Sequence, residues 1–163
     1  MSAPVIPHIS VQRDDFDLAR EITALTAGRT DIGAVVTFSG LCRDEGETLA
    51  ALELEHYPGM AEMEIERIAG AALERWPLLA LRIIHRHGKI LPGENIVLVI
   101  TTSAHRQAAF EAASFLMDFL KTRAPFWKKE HARNGQPAGW VEPKASDEGA
   151  QLRWDAIKPG NAT

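Results

Sequence analysis

The chain has 163 residues, with 18 Lys+Arg against 22 Asp+Glu and a formal net charge of -4 at pH 7. Its length suits one domain of the usual size, roughly 100–200 residues, and 45% hydrophobic with 25% charged residues excludes disordered and fibrous classes. The acidic balance argues against a general nucleic-acid binder, the single cysteine, Cys42, excludes an intrachain disulfide framework, and no apolar run approaches the ~18 residues of a membrane span.

The N-terminus lacks a basic segment and a long apolar core, so a secretory leader is not expected and a cytoplasmic setting is. A single domain is expected over 1–163, its ordered core over about 8–155. The breaker-rich ends, 1–7 and 158–163, should be loose. A short strand is expected at 8–12 and an amphipathic helix over about 15–26. The β-branched stretch 33–40 reads as a buried strand. Residues 48–57 alternate, with Leu52, Leu54 and His56 on one side and Glu53, Glu55 and Tyr57 on the other; that is a half-exposed strand. Pro58-Gly59 breaks it. A helix follows over about 60–76, its core stripe made by Ala61, Ile65, Ile68, Ala69, Ala72 and Trp76, and Pro77 ends it. Strand 79–87, a Pro92-Gly93 turn and a central strand at 96–100, apolar on both faces, come next. The second long helix spans about 104–122, with Ser103 as its N-cap, and Pro125 stops it. Two short strands, 126–131 and 139–144, complete an α+β fold: a mixed, largely antiparallel sheet with two main helices packed on it.

Three stretches concentrate chemistry. Where the central strand becomes a helix, His105 and Arg106 place cations against the unfavourable end of the helix dipole. A bound anion in front of the turn would explain them; so would a solvated pair costing a few tenths of a kcal/mol. Farther on, Lys121, Arg123, Lys128 and Lys129 gather around the end of that helix. A lysine in a cation-rich, partly desolvated pocket can serve as acid, base or nucleophile, whereas a solvated basic face is the commoner outcome of such a run. Arg43 stands at the mouth of the 33–40 strand, fit to clamp a phosphate or carboxylate, or a plain surface charge. His85 and His87, joined by His56, do not make a zinc site without a cysteine pair or an acidic partner at ligand spacing, so no metal is assigned. Cys42 beside Arg43 could be an activated thiol, but no histidine is spaced to be its base, so a buried cysteine is expected.

Three longer motifs occur in order: Leu54-Glu55-His56-Tyr57-Pro58-Gly59-Met60; Ser103-Ala104-His105-Arg106 with Ala109-Phe110-Glu111-Ala112; and Leu120-Lys121-Thr122-Arg123-Ala124-Pro125-Phe126-Trp127-Lys128. Together with 33–38 and Trp140-Val141-Glu142 they closely resemble the catalytic subunits of molybdopterin synthases, over roughly residues 8–155. The resemblance implies an α/β-hammerhead fold and a cytoplasmic homodimer within a heterotetramer. A small ubiquitin-like sulfur carrier would dock at each end, its C-terminal Gly-Gly thiocarboxylate threading into a pocket. Two sulfurs would pass in turn to cyclic pyranopterin monophosphate, giving molybdopterin. No cofactor is implied.

Carried over by motif, Arg43, His105 and Arg106 are expected to bind substrate anions, Lys121 and Lys128 to be catalytic, and Glu130 to orient a lysine. Phe38 and Met117 would shape the pocket, a role that core packing explains equally well. Lys144 stands where many relatives carry Arg, in a block expected to reach the neighbouring subunit's pocket. Lysine there keeps the charge without the bidentate fork. A non-catalytic anion-binding or docking module on the same fold is the alternative, and intact Lys121 and Lys128 argue against it. A single-stranded RNA binder using 121–129 would lack a stacked-aromatic sheet and a broad basic face.

Overall fold

The computed structural model describes residues 3–142 and 145–155, so the expected loose end at 158–163 and Lys144 lie outside the described residues. The first half runs β1 (His8–Gln12), α1 (Leu18–Thr26), β2 (Ala34–Leu41), a 3-10 turn at Glu45–Glu47, β3 (Leu49–His56) and α2 (Met60–Arg75). The second runs β4 (Leu78–Arg86), β5 (Gly88–Ile90), β6 (Asn95–Ser103), α3 (Arg106–Thr122), β7 (Phe126–Ala132), β8 (Gly139–Val141) and α4 (Ala145–Leu152). Among the described residues no helix is long and apolar enough to cross a membrane.

The fold is α+β, but its strands divide between two four-stranded sheets, ordered β1-β4-β6-β2 and β5-β3-β7-β8. β1 pairs with β4 in parallel and every other pairing is antiparallel. The division arises after β2. A register shift at Gly40/Leu41 and left-handed residues Gly46 and Glu47 in the 3-10 turn redirect the chain. β3 therefore pairs with β5 and β7 instead of returning along β2.

β6 is covered on both faces, as its continuous apolar run requires. Leu98 and Ile100 pack with Leu25 of α1, Ala80 and Ile84. Val97 and Val99 point the other way, into the main core with Ile65, Ile68 and Ala72 of α2 and Phe115 and Leu116 of α3. Period-two alternation thus assigns one helix to one face and two helices to the other. The hydroxyls at the end of β6 do not go to waste: Thr101 donates to the Ala109 carbonyl at 2.7 Å and Thr102 to the Ala80 carbonyl at 3.1 Å.

Helix starts differ from expectation where side chains find other work. α1 begins at Leu18 with Asp17 as cap, because the Asp15 carboxylate accepts instead from the Phe16 backbone N–H and the Asn95 amide. α3 begins at Arg106 with His105 as N-cap. The Ser103 hydroxyl, expected there, donates to the Pro77 carbonyl at 2.9 Å and ties β6 to the start of β4.

Gly33 holds the same corner. Its N–H donates to the Ser103 carbonyl, and a Cβ added at Gly33 would fall 2.2 Å from the Ala104 carbonyl oxygen. Backbone cannot rotate aside, so Gly33→Ala should cost about 1–3 kcal/mol, as overpacking does. A denaturant titration checks this; an unshifted midpoint would contradict it.

Candidate active site

α3 and β7 set the chemistry of the site. Ala109, Ala112, Ala113, Leu116 and Leu120 are buried and fix the rotation of α3. Met117 and Lys121, one turn apart, therefore share the edge of that stripe. On β7, Phe126, Lys128 and Glu130 alternate with Trp127 and Lys129, so the first three share one face. All three face a cleft between the sheets, closed on its other side by the end of β2.

The cleft has two arms. The narrow one, a cavity of about 110 Å³, is walled by Phe38, Leu41, Met117, His85 and Phe126. The wide one, about 300 Å³, carries Arg43, Glu130, Cys42, Glu142 and Asp147. Lys121 and Lys128, with Phe126, line both arms and so mark the waist between them. Arg43, Lys121, Lys128, Glu130, Phe38 and Met117 thus converge from β7, α3 and the end of β2. Lys121 is exposed and has no hydrogen-bond or ion-pair partner among the described residues. Its place in the last turn of α3 suits a cation. Arg43 meets Glu45 at 3.2 Å with both side chains about three-quarters exposed. Such a pair contributes little and leaves the guanidinium free to engage an anion.

His85 belongs to the wall of this cleft, a placement its position in the sequence did not signal. It is buried and stacks face to face on Phe126, with centroids 3.7 Å apart. Burial, aided by the charges of Lys128, His56 and Lys121, pushes its pKa down to about 4. His87, its ring tilted against His56 at 4.3 Å, is lowered too, first by burial and then by His56. The unfolded chain protonates both rings near 6.5 while the folded chain does not, so stability is full above that pH and falls as pH drops toward 4. For His85 alone the loss approaches about 3 kcal/mol. Urea titrations at pH 7 and pH 4.5 should show the difference, and His85→Phe should flatten it.

Cys42 is buried against Leu54 and Ile90, and burial pushes its thiol up. It is not an activated nucleophile. Among the described residues no three His, Cys, Asp or Glu side chains come together as a metal site.

His105 and Arg106 do not join the cleft of their own chain. They are exposed at the first turn of α3, while Lys121 lies in its last, and a helix rises about 22 Å over that span.

Comparison with known proteins decides the family. The MoaE protein family matches residues 11–123. A molybdopterin synthase catalytic subunit from Mesorhizobium japonicum is 69% identical over 154 residues, covering 94% of this chain and 97% of that relative. The chain belongs to the MoaE family. Among solved structures, the MoaE chain resembles the molybdopterin biosynthesis MoaE protein from Burkholderia ambifaria, with TM-score 0.79 and 46% identity, over 93% of this chain and 99% of that one. A complex of subunits 1 and 2 of molybdopterin-converting factor from Helicobacter pylori shares the fold, with TM-score 0.70 at 20% identity, over 83% of this MoaE chain and 91% of its own.

Proposed function

We propose that this MoaE chain is the catalytic subunit of a cytoplasmic molybdopterin synthase. It transfers sulfur from the thiocarboxylated Gly-Gly terminus of a small ubiquitin-like carrier to cyclic pyranopterin monophosphate. The observation that carries this reading is the placement of Lys121 and Lys128 at the waist of a two-armed cleft. Donor tail and cyclic phosphate are both anions, so bringing them together needs fixed cations between them. An acidic chain supplies these locally. The partly apolar narrow arm fits an extended tail or a flat pterin, and Arg43 in the wide arm offers a fork for phosphate.

In this reading each transfer forms a C–S bond to the pterin side chain in place of a C–O bond, one oxygen leaving as the cyclic phosphate opens and the other as water, and cleaves the carrier's acyl C–S bond. Water supplies the oxygen of the released carboxylate. A lysine ammonium at the waist offsets charge on the attacking sulfur's partner and delivers a proton where the cyclic phosphate opens. The carrier as partner is supported by relatives named as a catalytic subunit. The non-catalytic docking alternative is not favoured, because a docking surface has no need of paired lysines in a cleft.

The distance along α3 supports a homodimer in which His105 and Arg106 serve the pocket of the second protomer. Lys144 is assigned the same crossing role. Two carriers on such a dimer make the heterotetramer.

Titrating the protein with cyclic pyranopterin monophosphate by calorimetry tests the reading. Binding should weaken at least tenfold in a Lys121→Met/Lys128→Met variant, as lost charge-assisted contacts require; equal affinity would contradict it. Arg43→Ala should raise KM by roughly tenfold with a smaller change in kcat. Arg43→Lys should recover only part of that loss, since a point charge replaces a fork.

A further inference from the structure

The narrow arm holds an asymmetry that the lysines do not explain. Among the described residues lining it, the polar side chains are Lys121, Lys128 and His85. Both lysines can only donate hydrogen bonds. His85 Nδ1 lies 2.9 Å from the Arg86 carbonyl, and a carbonyl can only accept, so Nδ1 carries the proton and Nε2 the lone pair. The ring is clamped flat on Phe126, with an interplanar angle of 12°. Lys128 shares the Phe126 face of β7 and lines the same arm as the imidazole, close enough for its charge to act on the ring.

We propose that His85 is a positioning residue of the cleft, its Nε2 accepting a hydrogen bond from the Lys128 ammonium and aiming that ammonium at the reacting sulfur. The proposal rests on the sulfur-transfer reading above. Three titratable groups face the ring: Lys128 from β7, His56 from β3 and Lys121 from α3. All three disfavour a proton on it, and burial adds to them. An anion ligand would use a cationic imidazole; this ring stays neutral at physiological pH. A neutral acceptor serves a donor, and the donors at hand are lysines.

Two variants separate this role from packing. His85→Phe keeps an aromatic ring for Phe126 and removes the acceptor. His85→Gln returns an acceptor near the position of Nε2. In single turnover with thiocarboxylated carrier and cyclic pyranopterin monophosphate, His85→Phe should lose roughly tenfold or more in rate at saturating substrate, with carrier affinity unchanged. His85→Gln should recover most of it. Because an acceptor favours the ammonium form, its loss should also lower the Lys128 pKa. The alkaline limb of the rate profile should then move to lower pH in His85→Phe and return in His85→Gln. A 13C-NMR titration of Lys128 in the full chain reads the same shift without turnover. If the wild type makes no dithiolene, the sulfur-transfer reading fails, while the Lys128 titration still judges His85. Wild-type turnover in a folded His85→Phe, no gain from His85→Gln, or an unmoved Lys128 titration would each overturn the proposal. Should His85→Phe not fold, 15N-NMR of the unaltered chain decides: an unprotonated Nε2 at pH 7 is expected, and a protonated one contradicts the assignment.

Discussion

Lys121→Ala should leave the MoaE chain folded and nearly inactive. The side chain is exposed in the last turn of α3 and has no partner among the described residues. Its removal forfeits only a favourable helix-end charge, so stability should change by no more than about 0.5 kcal/mol. Turnover is another matter. Lys121 lines both arms of the cleft, where the proposed function brings donor and acceptor anions together. Losing a positioned acid–base group there should cost roughly 10²–10⁴ in rate. Dithiolene formation followed beside a thermal melt distinguishes the two effects. Normal turnover in a variant that still binds carrier would remove Lys121 from the mechanism.

Mixing two inactive variants should restore activity. Arg106 sits about 22 Å of helix from Lys121, so a pocket that uses both must take one from each protomer. Arg106→Ala and Lys121→Ala homodimers should each be strongly impaired. In a mixed dimer one pocket keeps its own Lys121 and receives Arg106 from the partner, while the other pocket lacks both. With random exchange half the dimers are mixed, so activity should recover to about a quarter of wild type. Fluorescence exchange between labelled protomers verifies the mixing. No recovery after verified exchange would show that Arg106 does not cross. The same cross with Lys144→Ala places Lys144, with substrate kept below saturation so that weakened binding shows in the rate.

The parts of the fold legible in the sequence were those where burial and periodicity act together. β6 reads as a two-sided core strand because Leu98 and Ile100 pack one way and Val97 and Val99 the other. The α2 stripe is buried residue for residue as its spacing predicts, with Trp76 at its C-cap. Elements made by tertiary contact were not legible. α4 contains Gly149 and little apolar pattern, yet the turn beyond it anchors on α3. Trp154 is buried with its indole N–H donating to Asp118 at 2.6 Å, and Arg153 pairs with the same carboxylate at 2.7 Å. β5, only Gly88–Ile90, exists through its pairing with β3.

The candidate site divides in the same way. Charge pattern and motif single out Lys121, Lys128, Arg43 and Glu130, and all four line the wide arm of the cleft. The separation of His105 and Arg106 from them is a matter of helix length, which the motif's contiguity in sequence conceals. In the sequence His85 stands out only as a would-be metal ligand beside His87, because nothing in its neighbours announces the Phe126 stack formed 41 residues later in the chain. The division into two sheets was equally hidden, since it turns on a register shift and two left-handed residues between β2 and β3.

By the proposed function this chain completes molybdopterin from cyclic pyranopterin monophosphate with carrier-borne sulfur. Mixing the purified protein with thiocarboxylated carrier and that substrate, then counting dithiolene formed per thiocarboxylate consumed, tests it most directly. One dithiolene for every two thiocarboxylates, dependent on the protein and lost with Lys121→Ala, is the expected result. Consumption of thiocarboxylate without dithiolene, or dithiolene formed equally well by Lys121→Ala, would contradict it.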